Sequence, residues 1–287
     1  MRILLTGKNG QVGWELERAL APLGEVIAFD HAGLDLADPD RIRAVVREMK
    51  PDIIVNAAAW TAVDKAETEE AAALAINGTA PGILAEESKR MGSLLVHYST
   101  DYVFDGSSAR ATTENDEPNP INAYGRTKRA GERAIHTVGG RHLIFRTSWV
   151  YSLHGHNFLK TLLQLAAERD ELSIVADQIG APTWSRMIAE ATALCLARLD
   201  GQNGLYHLTA AGETSWHGFA EAIVTAALRA GRIERSPPVR RITTADFPTP
   251  ARRPANSRLD NARLAVDFGV VLPDWEKQLG LCLAASG

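Results

Sequence analysis

Short apolar runs alternate with longer amphipathic stretches over the first half of the chain. Arg2-Ile3-Leu4-Leu5 leads through a glycine-rich turn into Trp14-Glu15-Leu16-Glu17-Arg18-Ala19-Leu20, a run of good helix formers. Glu25-Val26-Ile27-Ala28-Phe29 ends at Asp30, residues 40–50 follow with helical spacing, and Pro51 marks a turn. Asp52-Ile53-Ile54-Val55-Asn56-Ala57-Ala58-Ala59, Leu94-Leu95-Val96-His97-Tyr98-Ser99 and His142-Leu143-Ile144-Phe145-Arg146-Thr147 predict three more strands. The alanine-rich residues 67–91 predict a helix that Gly78, Pro81 and Gly82 bend or divide. Nearly continuous apolar strands separated by helices predict an α/β protein, with a doubly wound parallel sheet of Rossmann type covered on both faces.

Residues 105–123 read as a surface loop with solvated acids, lying between a strand end and a helix where a substrate would enter. Beyond Tyr151 the pattern is less regular. Helices are predicted over 157–168, 184–198 and from about Trp216, a strand over 204–209, and a loop over 247–254. Residues 1–150 are therefore expected to form the dinucleotide-binding domain, also taking segments around 184–210. Residues 151–287 are expected to form a smaller, discontinuous, mixed α/β substrate domain.

Composition narrows the class. With 45% hydrophobic and 23% charged residues the chain is an ordinary globular one, and a net charge of −4 advertises no nucleic-acid surface. Cys195 and Cys282 lie in apolar helical stretches, which points to a reduced interior and not to a disulfide framework. The first apolar run is too short for a signal sequence, and no segment approaches the roughly 18 residues of a membrane span. The expected location is the cytoplasm.

Gly7-Lys8-Asn9-Gly10-Gln11-Val12-Gly13 joins the first strand to the first helix. Strand, glycine turn and helix in this order are the context of a dinucleotide site, because glycines permit close backbone approach and a helix N-terminus offers free amides to a pyrophosphate. The spacing is Gly-x-x-Gly-x-x-Gly, and glycine turns without a ligand are common. Asp30 adds weight, since an acid about 20 residues on suits ribose hydroxyls and repels a 2′-phosphate. Asp35 and Leu36 follow at the expected adenine border.

In Tyr124-Gly125-Arg126-Thr127-Lys128 the tyrosine and lysine leave one helical face, a turn apart. An ammonium beside a phenol favours the phenolate and eases proton exchange near neutral pH. Any surface helix can carry such a pair. Its significance comes from convergence: Gly7, Asp30, Ala59, Thr100 and Trp149 all fall at or just after predicted strand ends, where a parallel sheet binds its ligand.

These features, with Asn56-Ala57-Ala58-Ala59 and Ser99-Thr100-Asp101, resemble the extended short-chain dehydrogenase/reductase family. Longer strings strengthen the likeness: Ala62-Val63-Asp64-Lys65-Ala66-Glu67, Ser99 through Gly106, Phe145 through Tyr151, Asp177 through Thr183, and Arg253-Pro254-x-x-Ser257. They are similar to members that reduce the C4 keto group of a dTDP-linked 6-deoxy sugar. The resemblance implies NADPH or NADH as cofactor, with no metal needed for the chemistry. Within the Gly7–Gly13 turn, Gly10, Gln11 and Val12 would cradle the pyrophosphate, Asp30 would hold the adenosine ribose, and Ala59, Trp60 and Thr61 would line the groove. Tyr124 would donate a proton to the keto oxygen, Lys128 would hold the nicotinamide ribose, and Thr100 would tune the transfer. Asp101 and Trp149 would contact the sugar nucleotide, with Arg253 and Ser257 from the tail. The same motifs would serve a reductase giving the C4-epimeric 6-deoxy-L-talose. Family members also include a non-catalytic regulatory subunit of methionine adenosyltransferase, against which the retained Tyr124, Lys128 and Thr100 argue.

Some members dimerise through magnesium held by glutamates. Glu15 matches one such position, but Arg186 and Ala285 stand at the others, so a monomer, or a dimer not bridged by magnesium, is expected. Trp60 stands where relatives often carry histidine. His154 and His156 read as loop residues and the pair Arg240-Arg241 as solvated, whereas the Arg252–Ser257 stretch lies in the resembling tail.

Overall fold

The computed structural model describes residues 1–285. Strands β1 (Arg2–Thr6), β2 (Glu25–Phe29), β3 (Ile53–Asn56), β4 (Leu94–Thr100) and β5 (His142–Thr147) join the Gly204–His207 strand in one six-stranded sheet. Every pairing in it is parallel. From the edge the order is Gly204–His207, β5, β4, β3, β1, β2, so the direction of winding reverses beside β1, where α/β sheets open a crevice.

Alternation along each strand sends side chains to two faces. Ile3, Leu5, Val55, Val96 and Phe145 meet Leu16 of α1 (Gln11–Ala19) and Ile188 of the Ser185–Ala197 helix. Leu4, Ile54, Leu95 and Ile144 meet the Pro39–Met49, Ala80–Met91 and Ala123–Val138 helices through Val46, Leu84 and Ile135. A second core gathers Tyr151, Leu162, Phe219, Ile223, Trp275 and Leu279 from the less regular half. There the Phe158–Glu168, Trp216–Arg229 and Trp275–Ala284 helices accompany a parallel pair, Leu172–Val175 with Val239–Ile242. Among the described residues no helix is long and apolar enough to cross a membrane.

Two regions differ in detail from the sequence pattern. Over residues 67–91 the chain stays helical from Glu70, but a π turn at Ala75–Thr79 precedes the Ala80–Met91 helix. Pro81 has no N–H to offer the Asn77 carbonyl one turn back, and a π turn is one way a helix absorbs that loss. Residues 105–123 are irregular yet firmly held. The Thr112 amide donates to the Arg258 carbonyl (2.9 Å) and the Asp260 amide to Thr112 (2.8 Å). Its acids are also engaged: Glu114 accepts from the His207 amide (2.8 Å), and Asp116 pairs with Arg110 (2.6 Å).

Candidate active site

A cleft of about 560 Å³ opens at the carboxyl ends of the strands. Gly7, Gly10, Gln11, Val12, Asp30, Asp35, Leu36, Ala59, Thr61, Tyr124 and Lys128 line it, so most residues expected at a cofactor site converge. Gly7 has φ +76°, and a Cβ there would sit 2.7 Å from the Ala58 backbone. Gly10 is the N-cap of α1 and supplies no capping side chain, which leaves first-turn amides for an anion. Gln11 Oε1 is buried without a partner among the described residues. An uncapped helix end and an open glycine cradle fit a dinucleotide pyrophosphate. Gly13 is not in the cleft: its bare Cα lies against the Gly7 carbonyl, letting the helix approach the turn.

Asp30 accepts from the Gly33 amide (3.0 Å) and lies 3.8 Å from Lys8 Nζ, with Asn9 Nδ2 at 3.4 Å. The Gly33 amide first, then the Lys8 charge, hold the carboxyl below its ordinary range despite partial desolvation. His31 pairs instead with Asp35 (3.8 Å). A loop spanning 152–156 crosses the glycine turn. There His154 stacks on Trp14 (4.2 Å) and lies 3.1 Å from the Asn9 carbonyl, while Gly155 and His156 line the cleft.

The Ala59-Trp60-Thr61 wall is held by a residue the sequence pattern did not single out. Asn77, in the π turn, accepts from the Trp60 amide (2.9 Å) and donates to the Trp60 carbonyl (3.0 Å) and to Thr127 Oγ1 (3.2 Å). The Trp60 side chain does not line the cleft. It packs with Ala66, Ala73, Ala123 and Tyr124, and its indole donates to the Ala62 carbonyl.

Tyr124 lies in the first turn of the Ala123–Val138 helix, which Asn122 caps by accepting from the Gly125 amide (2.8 Å). Gly125 is required, because a Cβ would strike the Tyr102 carbonyl. Desolvation raises the Tyr124 phenol above its ordinary range; the hydroxyl of Thr100 opposes this by hydrogen bonding, and the Asp101 charge reinforces it. Lys128 shares the cleft, but its Nζ donates to the Tyr98 carbonyl (2.6 Å) and meets His97 Nε2 at 3.4 Å. Within the cleft the Lys128 Nζ is thus engaged by β4, and burial brings it down to about 8 against the pull of Glu132.

Thr100 donates to Asp101 Oδ1 (3.0 Å). Burial raises the Asp101 carboxyl to about 6, against the opposing pull of the Ser257, Thr100 and Ser148 hydroxyls, while its Oδ2 is buried without a hydrogen-bond partner among the described residues. A carboxyl whose folded pKa is raised withdraws stability as the pH climbs from 3.8 to about 6. Asp101→Asn is expected to exceed the wild type in urea unfolding above that window by up to about 3 kcal/mol, and to match it below. Equal stability of the two at both ends would refute the raised carboxyl.

Trp149, with φ 48°, is a non-glycine residue in left-handed backbone. Its ring stacks on Trp216 (3.6 Å, 8° between planes) and lies where any Cβ on Gly180 would collide. Arg253 is committed to Asp64 (2.8 Å) and does not line the cleft. Glu15 is bridged by Arg186 (3.2 Å). Among the described residues no three His, Cys, Asp or Glu are grouped to hold a metal ion.

A family model described as RmlD substrate binding domain matches residues 1–287. The dTDP-4-dehydrorhamnose reductase of Burkholderia thailandensis is 53% identical over 298 residues, covering 99% of this chain and 98% of that protein. The chain belongs to the dTDP-4-dehydrorhamnose reductase family. The family member of that name from Escherichia coli K12 is 48% identical over 285 residues, 96% of this chain and 95% of that one. A solved dTDP-4-dehydrorhamnose reductase from Bacillus anthracis, in complex with NADP, matches with TM-score 0.93 at 35% identity over 99% of each chain. The fold extends further, to a Thermus thermophilus UDP-glucose 4-epimerase with TM-score 0.82 at 20% identity, covering 99% of this chain and 98% of that one.

Within this dTDP-4-dehydrorhamnose reductase fold, Asn77, His97, Gly180 and Trp216 escaped the sequence reading. Only Gly180 carried a signal, lying inside the string Asp177 through Thr183. The other three act through partners distant in sequence.

Proposed function

We propose that this chain reduces the C4 keto group of dTDP-4-dehydro-β-L-rhamnose to give dTDP-β-L-rhamnose, with NADPH or NADH as reductant. The observation that carries the reading is the Tyr124 phenol, which lines the glycine-turn cleft and has the Thr100 hydroxyl beside it. When bound, the nicotinamide supplies a hydride. Gly10, Gln11 and Val12 would hold its pyrophosphate with helix amides, and Asp30 would accept from the ribose hydroxyls. Lys8, 3.8 Å from Asp30, offsets part of its repulsion of a 2′-phosphate, which supports use of both cofactors.

Tyr124 donates its hydroxyl proton to the keto oxygen, and its raised pKa keeps that proton in place until substrate arrives. Thr100 hydrogen-bonds beside it. Asp101, Trp149 and Ser257 form the sugar-nucleotide side, and Leu34, Ile76 and Val150 exclude water from the cleft wall. Residues 1–150 with the 184–210 segments make up the dinucleotide domain and the remainder the substrate domain, with Asp101 and Trp149 contributed across to the sugar nucleotide. Two free, buried cysteines suit the cytoplasm, and the Arg186–Glu15 bridge suits a monomer or a dimer without bridging magnesium.

The test is incubation with dTDP-4-dehydro-L-rhamnose and each cofactor in turn, with the product identified by NMR. Oxidation of both cofactors with formation of dTDP-L-rhamnose is expected. No turnover, or the 6-deoxy-L-talose epimer as product, would overturn the assignment.

A further inference from the structure

The loop that crosses the glycine turn belongs to the other half of the chain. It leaves the Val150–Tyr151 strand, which pairs with Thr183–Trp184, and ends at Asn157, the N-cap of the Phe158–Glu168 helix. Its shape is fixed from within. The Ser152 hydroxyl donates to the His154 carbonyl (2.6 Å) and accepts from the His154 amide (2.8 Å), while Asn157 Nδ2 donates to the Ser152 carbonyl (2.7 Å). Ser152 and Asn157 are buried, and Leu153 packs into the second core. The loop is therefore a stiff extension of that core.

Its tip meets the glycine turn and α1 at three points. The His154 ring stacks on Trp14 of α1, with centroids 4.2 Å apart and 10° between planes. His154 Nε2 lies 3.1 Å from the Asn9 carbonyl, and because a carbonyl only accepts, that nitrogen carries a proton. Gly155, with φ +74°, lies so near Gln11 that a Cβ on it would stand 3.4 Å from the Gln11 Cγ. Trp14 is a fixed seat. Arg18, one turn further along α1, holds its guanidinium 3.8 Å from the indole centre and donates to the Trp14 carbonyl (2.6 Å). Gly155 and His156 then line the cleft together with Asn9, Gly10 and Gln11, so this wall joins two halves with separate cores.

We propose that residues 152–156 form a clasp that retains the cofactor, and that His154 is its positioning residue: seated on Trp14, it holds Gly155 and His156 beside the Gly10–Gln11 end of the cleft. This rests on the reading of the glycine-turn cleft as the dinucleotide site. Two contacts close the clasp, an aromatic stack and one hydrogen bond, and neither is deeply buried, since Trp14 is 36% exposed. A closure of that strength slows release without preventing it, as exchange of cofactor in every turnover requires. The stack is the larger part, because water replaces a hydrogen bond to an exposed carbonyl. The sugar-nucleotide side has other supports. Trp149 is held by Trp216, and the Ser257 amide donates to the Ile179 carbonyl (2.7 Å), so opening the clasp leaves that side in place.

The test is stopped-flow release of NADPH, followed by its own fluorescence with excess NADP⁺ as trap. His154→Ala is expected to release NADPH about tenfold faster than the unaltered chain, with dTDP affinity by calorimetry kept within about twofold. His154→Phe keeps a ring on Trp14 and is expected to restore most of the retention, which a general loosening of the loop would not allow. Trp14→Ala is expected to reproduce His154→Ala, and the double variant to go no further, because both remove the same stack. Acceleration below about threefold in a folded His154→Ala protein, additive effects in the double variant, or a matching loss of dTDP affinity overturns the proposal. If His154→Ala does not fold, His154→Gln, which keeps a donor for the Asn9 carbonyl without the ring, is held to the same limits. An unaltered chain that binds no NADPH overturns the cofactor reading and the clasp with it, whereas normal binding with unaltered release in the variants overturns the clasp alone.

Discussion

Tyr124→Phe is expected to lower turnover by about 10²–10⁴-fold, the usual contribution of a positioned proton donor, while cofactor affinity stays within a few-fold. The substitution removes one oxygen. The ring keeps its edge-to-face contact with Tyr102 at 5.5 Å and its packing beside Trp60, so the helix start and the cleft wall are retained. What disappears is the one proton held at the Thr100 hydroxyl. Steady-state kinetics paired with cofactor titration by fluorescence separates the two effects. Turnover within about tenfold of wild type would remove Tyr124 from its proposed role.

The second large effect is structural. Glu132 is fully buried and takes Arg146 in a two-point bond (2.8 and 2.7 Å), with Ser99 Oγ at 2.6 Å and Arg129 at 2.9 Å. Burial alone would raise its carboxyl, but these partners more than compensate and hold it below its ordinary value. Glu132→Gln leaves the Arg146 guanidinium buried without a counter-charge, which costs about 3–5 kcal/mol. In a chain of this size that is a fall of roughly 10 °C in Tm. A depressed carboxyl contributes its stability above the unfolded pKa and loses it as the pH falls through the folded one. The gap between variant and wild type should therefore narrow below 4.5, the ordinary glutamate value. A loss under about 1 kcal/mol at neutral pH, in calorimetry or denaturant titration, would show that the cluster contributes little.

Both residues lie on one helix, yet only one was legible beforehand. Tyr124 stands in a spaced pair next to strand-end motifs. Glu132 looks like any helical acid until β5 places Arg146 against it.

The alternation of apolar runs with helical stretches already contained the parallel sheet, because a strand buried on both faces has little choice but to be continuously apolar. The glycine turn, Asp30, Thr100 and the Tyr124–Lys128 pair were readable for a related reason: backbone at strand ends must turn tightly and leave polar groups open to a ligand. Three-dimensional packing alone settled the rest. A π turn just before Pro81 sets Asn77 against the Trp60 backbone. Strand register lined up Thr6, Asn56 and His97 across segments 50 and 41 residues apart. Trp216 reached Trp149 from the other half of the chain. Local sequence encodes the periodicity and the turns, whereas hydrogen-bond direction and protonation depend on which distant side chain arrives opposite.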